Sequence, residues 1–142
     1  MRSISTEIVI NAPASRVWSI LTRFDKYPVW NPFILSIEGR PEVGARLTVK
    51  IAPPGQSAMK FRSRVLAATP NRELRWLGRL LLPGIFDGEH SFVLKPRKAG
   101  CRFLHSEKFS GFLVIIAGSK MLQNTEQGFK AMNEALKSRA EE

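Results

Sequence analysis

Disulfides, secretion signals and membrane spans all require features that this sequence lacks. Cys101 is the single cysteine among 142 residues, which excludes an intramolecular disulfide and favours a reducing compartment. Residues 1–10 do not carry the charged and then apolar pattern of a secretion signal. The most apolar run, residues 112–117, is far shorter than the ~20 residues that cross a bilayer. We therefore expect a cytoplasmic protein without a transmembrane segment.

Acidic residues are also scarce, since 12 Asp and Glu stand against 22 Lys and Arg and the net charge is +10. The excess permits attraction to nucleic acid or to an anionic membrane, but it does not locate a site. Alternation in the predicted strands places Arg62, Arg64 and Arg75 on an outward face. No RNA-binding aromatic motif, zinc-ligand set or recognition helix accompanies them. We expect a solvated basic surface and no specific nucleic-acid partner, and peripheral contact with an anionic membrane stays open.

The common catalytic signatures are missing. There is no G-x-S-x-G motif, P-loop or dinucleotide glycine fingerprint. His90 and His105, with one cysteine, make a poor metal site, so we expect neither a metal nor a cofactor. Cys101 shares a strand face with Phe103, which favours a buried and inert thiol over a nucleophile.

The order of apolar patterns predicts an α+β fold in a single domain over residues 1–142. A first strand within 3–10 precedes a helix near 14–23 and a proline-rich turn over 25–32. Six further strands are predicted at 33–39, 45–52, 58–69, 72–79, 86–96 and 101–110. The breaks between them, including one at 82–84, are too short for crossover helices, so the strands should form an antiparallel meander.

The last stretch, residues 112–140, reads as one long amphipathic helix. Its apolar stripe contains Ile115, Gly118, Leu122, Thr125, Phe129, Met132 and Leu136, widened by Met121, Gly128 and Ala135. Glycine inside a helix costs roughly 1 kcal/mol relative to alanine, and two glycines lie on the stripe. Either a bulky surface approaches the helix at these glycines, or space is kept open there.

The strands 86–96 and 101–110 carry most of the polar chemistry. With a tight turn at Lys98 and Ala99, the pairing sets Phe92 opposite His105 and His90 opposite Glu107, and the hydrophobic pattern favours this register. Polar groups on an apolar face need partners. His90 and Glu107 form either a structural pair, a pair that orients a ligand, or a catalytic acid and base.

Four stretches of sequence together resemble one protein family. They are Ile10–Trp18 with the motif A-P-A-x-x-V-W, Tyr27–Phe33 with the motif Y-P-x-W-N-P-F, Gly84–His90, and Phe109–Gly111 before the long helix. On these residues the chain resembles the START-like superfamily, in its bacterial polyketide cyclase/dehydrase-type branch. The likeness extends over essentially the whole chain.

This resemblance implies a helix-grip fold, in which a seven-stranded curved antiparallel sheet wraps a long C-terminal helix and two short helices follow the first strand. Members bind lipids, sterols, polyketides or hormones in an internal pocket, and some cyclise or aromatise polyketides. Carried onto this chain, the ligand-binding wall comprises Trp30, Phe61, Trp76, Phe86, His90, His105, Glu107, Phe109, Met121 and Thr125. The chain lacks the glycine-rich loop of the pollen-allergen and hormone-receptor branches, since residues 38–45 hold only Gly39 and Gly44.

Two functional hypotheses follow. The first is a cofactor-free protein that binds or carries a small, largely apolar molecule, such as a lipid, polyketide or aromatic compound, between the sheet and the last helix. The alternative is a cyclase or aromatase in which His90 and Glu107 transfer protons. A third class, an accessory protein acting through its basic surface, stays open, as do the ligand and the oligomeric state.

Overall fold

The computed structural model describes residues 2–80, 82 and 84–142. Met1 lies outside the described residues, and so does Pro83, which belongs to the predicted break at 82–84. The elements follow the predicted order. They are β1 (Arg2–Ile10), α1 (Ala14–Thr22), a 3-10 turn (Phe24–Lys26), α2 (Tyr27–Trp30), β2 (Ile34–Glu38), β3 (Arg46–Ile51), β4 (Met59–Thr69), β5 (Glu73–Leu80), β6 (Phe86–Arg97), β7 (Gly100–Ser110) and α3 (Phe112–Ala140).

The seven strands form one antiparallel sheet in the order β1-β7-β6-β5-β4-β3-β2. Each strand from β2 to β7 pairs with its neighbour in sequence, and β1 closes the far edge against β7. The sheet curls around α3, and its concave side holds the core. Phe92, Phe103 and Leu74 from the sheet are buried there with Phe129 and Met132 from the helix. The predicted α+β helix-grip architecture is confirmed.

The β6–β7 register is the predicted one. Leu94 pairs with Phe103, Phe92 with His105, and His90 with Glu107. Their side chains are buried on the concave face, because the even-numbered residues of β6 and the odd-numbered residues of β7 point the same way. The pattern of apolar residues was sufficient to fix this register, since a slip by one residue would turn every inward side chain toward water.

The alternation in β4 breaks at one point. Val65 pairs with Trp76, but Ala67 pairs with the outward Arg75 and Ala68 with the buried Leu74, because a β-bulge intervenes between Val65 and Ala67. The simple period of two places Ala67 on the inner face with Val65, and this expectation is wrong. The bulge inserts one extra residue, so the inward position passes to Ala68.

The last helix is not continuous. Gly118 has φ 75° and ψ −172°, which are not helical values, and α3 is broken there into two segments. The break turns the first segment so that Val114 is buried and Ile115 is 79% exposed, so the predicted buried position of Ile115 is wrong. A positive φ favours glycine. Within the described residues no helix is both long and apolar enough to span a bilayer.

The two helix glycines have different roles. A Cβ atom on Gly128 would overlap the ring of Phe33, whereas a Cβ on Gly118 would have no neighbour within 4 Å. Phe33 is fully buried and packs edge-on against Phe129 at 5.4 Å between ring centroids. Gly128 therefore admits a bulky ring to the helix, and Gly118 permits the break. Of the two alternatives that the sequence leaves open, the close approach of a bulky side chain holds at Gly128, where Phe33 fills the space.

Asn31 fixes the start of β2 and so the position of Phe33. Its side-chain Oδ1 accepts hydrogen bonds from the backbone N–H groups of Phe33 at 2.9 Å and Ile34 at 2.8 Å. Asn31 follows α2, where Tyr27 is buried and donates its hydroxyl to the carbonyl of Leu21 at 2.7 Å. The proline-rich turn is therefore an ordered support for the edge of the core.

We expect Gly128→Ala to destabilise the protein, although alanine has the higher helix propensity by about 1 kcal/mol. The added methyl must displace Phe33, and overpacking of a filled core costs about 1–3 kcal/mol. Urea denaturation gives the free energy of unfolding. Phe33→Leu in the same background should recover part of the loss, and a Gly128→Ala variant as stable as the parent would contradict the packing role of the glycine.

Candidate functional site

The concave face carries a cluster of buried polar side chains. His90 of β6 and Glu107 of β7 are cross-strand partners, and His105 lies two residues before Glu107 on the same face. Asn133 of α3 reaches this face from the helix and is also buried. Because strands of the hairpin alternate inward and outward, residues 90, 105 and 107 necessarily meet on one side of the sheet.

These side chains form one hydrogen-bonded chain. Glu107 Oε1 lies 3.2 Å from His90 Nδ1, and His90 Nε2 lies 2.7 Å from His105 Nε2. His105 Nδ1 lies 2.9 Å from Asn133 Oδ1, and Asn133 Nδ2 donates to Thr6 Oγ1 at 2.9 Å. The Thr6 hydroxyl donates to the backbone carbonyl of His105 at 3.0 Å. The chain therefore ends at a fixed acceptor of the main chain.

This fixed end sets the direction of every bond before it. Thr6 has one hydroxyl hydrogen and gives it to the His105 carbonyl, so its oxygen must accept from the amide nitrogen of Asn133. The amide oxygen of Asn133 then faces His105 Nδ1, which must carry a hydrogen. In a neutral His105 ring, Nε2 is an acceptor, and His90 Nε2 must be the donor to it.

One proton therefore lies between His90 and Glu107. His90 already carries a hydrogen on Nε2, so in a neutral ring its Nδ1 presents a lone pair toward the carboxyl group of Glu107. Two acceptors cannot share a contact without a hydrogen between them. Either His90 is an imidazolium beside a carboxylate, or a neutral His90 accepts from a protonated Glu107.

His105 is held neutral by its surroundings. Burial lowers the pKa of His105 well below 6.5, and the neighbouring charge of His90 lowers it further, while the hydrogen bond to Asn133 acts in the opposite direction. Its ring lies flat on Phe129, with centroids 3.9 Å apart and an angle of 4° between the planes. The ring of His90 lies on Trp76 in the same way, at 5.1 Å and 9°.

A small cavity of about 20 Å³ lies beside Glu107 and His90. Its wall consists of Ile34, Val49, Ile51, Phe61, Ser63, Trp76, Gly78, Gly88, His90 and Glu107. This volume admits the centre of a single water-sized group. The lining is apolar except at one end, and every lining residue belongs to the sheet.

A pair of glycines leaves room for the polar end of this cavity. Gly78 and Gly88 face each other across β5 and β6. A Cβ on Gly88 would overlap Glu107 Oε2, and a Cβ on Gly78 would lie 3.0 Å from Ser63 Oγ. Ser63 is 6% exposed, and its hydroxyl has no hydrogen-bond partner among the described residues. A polar atom buried without a partner costs about 1–3 kcal/mol, so this hydroxyl is free to meet a ligand.

The predicted wall residues divide into four groups. Phe61, Trp76, His90 and Glu107 line the cavity, while Phe86 and Phe109 pack in a ring-to-ring series beside Phe61. His105 lies behind His90 and does not touch the cavity.

Trp30, Met121 and Thr125 are placed elsewhere. Trp30 lines an outer groove with residues of α1 and the chain end. Thr125 is buried and donates its hydroxyl to the carbonyl of Met121, and neither side chain belongs to the cavity wall.

Sequence reasoning missed several members of the site. Asn133 follows Met132 on the helix stripe, and a polar residue at the edge of an apolar stripe was the available signal. Gly78 and Gly88 each interrupt a strand, a pattern that indicates close approach of another group. Nothing in the sequence pattern singled out Thr6 or Ser63. In the described part of the chain, no group of three or more His, Cys, Asp or Glu side chains is placed to hold a metal ion.

The profile of a family described as "Polyketide cyclase / dehydrase and lipid transport" matches residues 1–141. The chain belongs to this family. The family membership confirms the START-like resemblance drawn from the motifs. No curated protein sequence matches the chain significantly.

Solved structures share the fold at low sequence identity. The Zhui aromatase/cyclase from Streptomyces sp. R1128 is 17% identical, with a TM-score of 0.79 over 99% of this chain and 93% of its own. A START superfamily protein from Mycobacterium smegmatis is 21% identical, with a TM-score of 0.77 over 98% and 97%. The di-domain aromatase/cyclase StfQ is 14% identical, with a TM-score of 0.77 over 98% of this chain and 50% of StfQ. The chain thus spans about half the length of that di-domain protein.

Acidification should destabilise the fold through His105. Because its pKa is lowered in the folded state, the unfolded chain binds a proton that the folded chain excludes once the pH falls below 6.5. From this group alone, the free energy of unfolding should drop by up to about 1.4 kcal/mol per pH unit below that value. Urea denaturation over an acidic pH series measures the slope.

His105→Gln provides the control, because glutamine does not titrate and keeps an amide for hydrogen bonding. The variant should start less stable but lose stability less steeply over the same acidic range. Equal slopes in the two proteins would show that His105 does not carry the effect.

Proposed function

We propose that this protein binds a small, largely apolar molecule on the concave face of the sheet, with a neutral oxygen group of the ligand held between Glu107 and Ser63. The observation that carries the proposal is the asymmetry of the cavity. One end offers the Glu107 carboxyl group and the Ser63 hydroxyl, which has no hydrogen-bond partner in the part of the chain that the structure describes, and the remaining wall is aliphatic and aromatic. Pockets of this composition take affinity from apolar burial and orientation from few polar groups.

The polar end restricts the chemistry of the ligand. The Ser63 hydroxyl can donate or accept, and the outer oxygen of Glu107 accepts in either form, because the shared proton lies toward His90. A hydroxyl or carbonyl oxygen therefore finds a partner. An anionic ligand group would face Glu107 with no lysine or arginine among the cavity-lining residues, and burying it there would be costly.

The ligand must enlarge the cavity, since the present volume of about 20 Å³ holds only a water-sized group. The break in α3 at Gly118 is a point about which the segment 112–117 can move relative to the rest of the helix. The segment 112–117 is joined to the preceding turn, because Phe112 N–H donates to the Gly84 carbonyl at 3.0 Å and Leu113 N–H to the Ile85 carbonyl at 2.9 Å. The turn at 84–85 and the start of α3 are thus positioned to move together about Gly118.

A matched pair of probes tests this proposal. Naphthol should raise the melting temperature of the protein, and naphthoate, which has a similar ring system and a carboxylate, should not. Native mass spectrometry of protein purified from its own host should in addition detect a bound apolar molecule. If neither naphthol nor a panel of lipids and polyketides stabilises the protein and no molecule co-purifies, the proposal fails.

Ser63→Ala should weaken naphthol binding by about tenfold, the effect of losing one hydrogen bond, and Glu107→Gln should also weaken it, because an amide oxygen is a weaker acceptor than a carboxylate. Glu89→Gln is the matched control, because Glu89 lies on the same hairpin but faces outward to Arg75. It should bind naphthol as the parent does. Equal loss in Glu107→Gln and Glu89→Gln would remove the role of the cavity carboxylate.

The second candidate function is a cyclase or aromatase, and the proton shared by His90 and Glu107 favours it. A carboxylate can take a proton from the carbon beside one carbonyl, and that carbon then bonds to a second carbonyl whose oxygen receives the proton. Removal of a second proton from the same carbon lets this hydroxyl leave as water, which completes an intramolecular aldol condensation. The hydrogen-bonded chain would hold His90 in the required orientation.

Glu107→Gln separates the two functions. The glutamine amide can donate to His90 Nδ1, so the chain stays satisfied and we expect folding to be spared. If the protein is an enzyme, cyclisation of a linear poly-β-ketone should fall by at least about 100-fold in this variant. Chromatography of the products measures the rate. Unchanged product formation in Glu107→Gln would end the catalytic assignment.

A further inference from the structure

Four large apolar side chains project into solvent at one end of the sheet. Leu82 is 71% exposed, Phe112 60%, Ile115 79% and Ile116 64%. Side chains this exposed contact little of their own protein. We call these four residues the apolar tip. Exposed apolar groups that cluster in this way mark an interaction site more often than scattered single residues do.

The tip comes from two chain segments that are held together. The turn before β6 supplies Leu82 and the first segment of α3 supplies the other three, and backbone hydrogen bonds join residues 84–85 to residues 112–113. Gly118 ends that segment of α3. The tip is therefore a separate feature, distinct from the buried face of the helix.

A second feature approaches the tip along the convex face of β3, β4 and β5. Three cross-strand pairs there have like charge: Arg46 with Arg64, Lys50 with Lys60, and Arg62 with Arg79. Like charges directly opposite each other destabilise a sheet. We call these six residues the basic strip. A sheet that keeps three such pairs carries a cost that an anionic partner would offset.

Neighbouring carboxylates compensate only part of this charge. Arg79 pairs with Asp87 at 3.6 Å, and Glu89 is taken by Arg75 at 3.5 Å. Among the described residues, no carboxylate pairs with Arg46, Lys50, Lys60, Arg62 or Arg64. Segments 108–120 and 50–60 also lie toward this end of the sheet. They contain no acidic residue, and they add Lys108 and Lys120 to the basic residues already named.

We infer that the apolar tip and the basic strip together dock this protein on an anionic lipid bilayer. The tip would enter the acyl boundary, and the strip would lie at the level of the anionic headgroups. Apolar insertion and basic attraction are each weak alone, and stable peripheral binding takes both. The inference goes beyond the proposed ligand site.

The same features fit the other polyanions less well. Single-stranded nucleic acid is bound by basic grooves with aromatic platforms on which bases stack. The residues between the arginines of the strip are Thr48, Leu66 and Leu77, and none is aromatic. An acidic protein would leave the strongly exposed apolar tip without a matching partner surface, whereas a bilayer contacts both features.

Vesicle flotation with the full chain tests the inference. The protein should float with vesicles of phosphatidylcholine and phosphatidylglycerol at low salt, less so at high salt, and not with phosphatidylcholine alone. The paired substitution Ile115→Ser and Ile116→Ser should reduce partitioning at least about tenfold. Val43→Ser is its control, because Val43 is 68% exposed but lies in the turn before β3, at the opposite end of the sheet.

Lys60→Glu tests the basic strip. It should also reduce partitioning by about tenfold, and it should raise the melting temperature, because it turns the pair with Lys50 into one of opposite charge. Lys98→Glu makes the same change of net charge in the β6–β7 turn at the other end and should bind vesicles as the parent does.

Three results would overturn the inference. The parent protein does not float with phosphatidylglycerol vesicles at low salt, the tip variant floats as well as the parent, or sedimentation shows a dimer that the tip variant dissociates. Binding of an RNA oligonucleotide that Lys60→Glu abolishes and the tip variant leaves unchanged, without any flotation, would instead assign the strip to nucleic acid. Flotation needs no ligand, so its outcome is independent of the naphthol experiment.

Discussion

The hydrogen-bonded chain from Glu107 through His90, His105 and Asn133 to Thr6 joins three strands to the last helix. A helix held to a sheet only by apolar contacts can slide or rotate at small cost, but a buried donor or acceptor that loses its partner costs about 1–3 kcal/mol. The bond between Asn133 and His105 therefore fixes where α3 crosses the sheet. The stacking of His105 on Phe129 fills the remaining space around that bond.

Much of the fold could be predicted because its rules are local. Short breaks between strands exclude crossovers, and the apolar alternation of β6 and β7 sets His90 against Glu107. Local rules failed where one residue changes the phase of a pattern. The bulge after Val65 moves the inward position to Ala68, and the positive φ of Gly118 turns Ile115 outward. Neither the bulge nor the break is visible in the spacing of the apolar residues. Extending a period of two or 3.6 residues past either point therefore assigns side chains to the wrong face.

The site could be predicted only in part, for a related reason. His90 and Glu107 belong to one hairpin, and their contact follows from the register. Asn133, Thr6 and Ser63 reach the site from separate elements, and their contacts depend on how the helix and the sheet edges are placed in three dimensions. The cavity is likewise a product of packing, since it exists where Gly78 and Gly88 leave out two side chains.

The shared proton has an electrical consequence for the interior. The pair of His90 and Glu107 has no net charge in either of its forms, so moving the proton across the 3.2 Å contact changes a dipole and leaves the total charge of the core at zero. The proton lies on the Oε1 side in both forms, so the outer oxygen Oε2 of Glu107 stays an acceptor, stronger when the group is a carboxylate and weaker when it is a carboxylic acid. The concave face therefore presents a guest with an acceptor whose strength depends on the position of one internal proton, while the total charge of the core does not change.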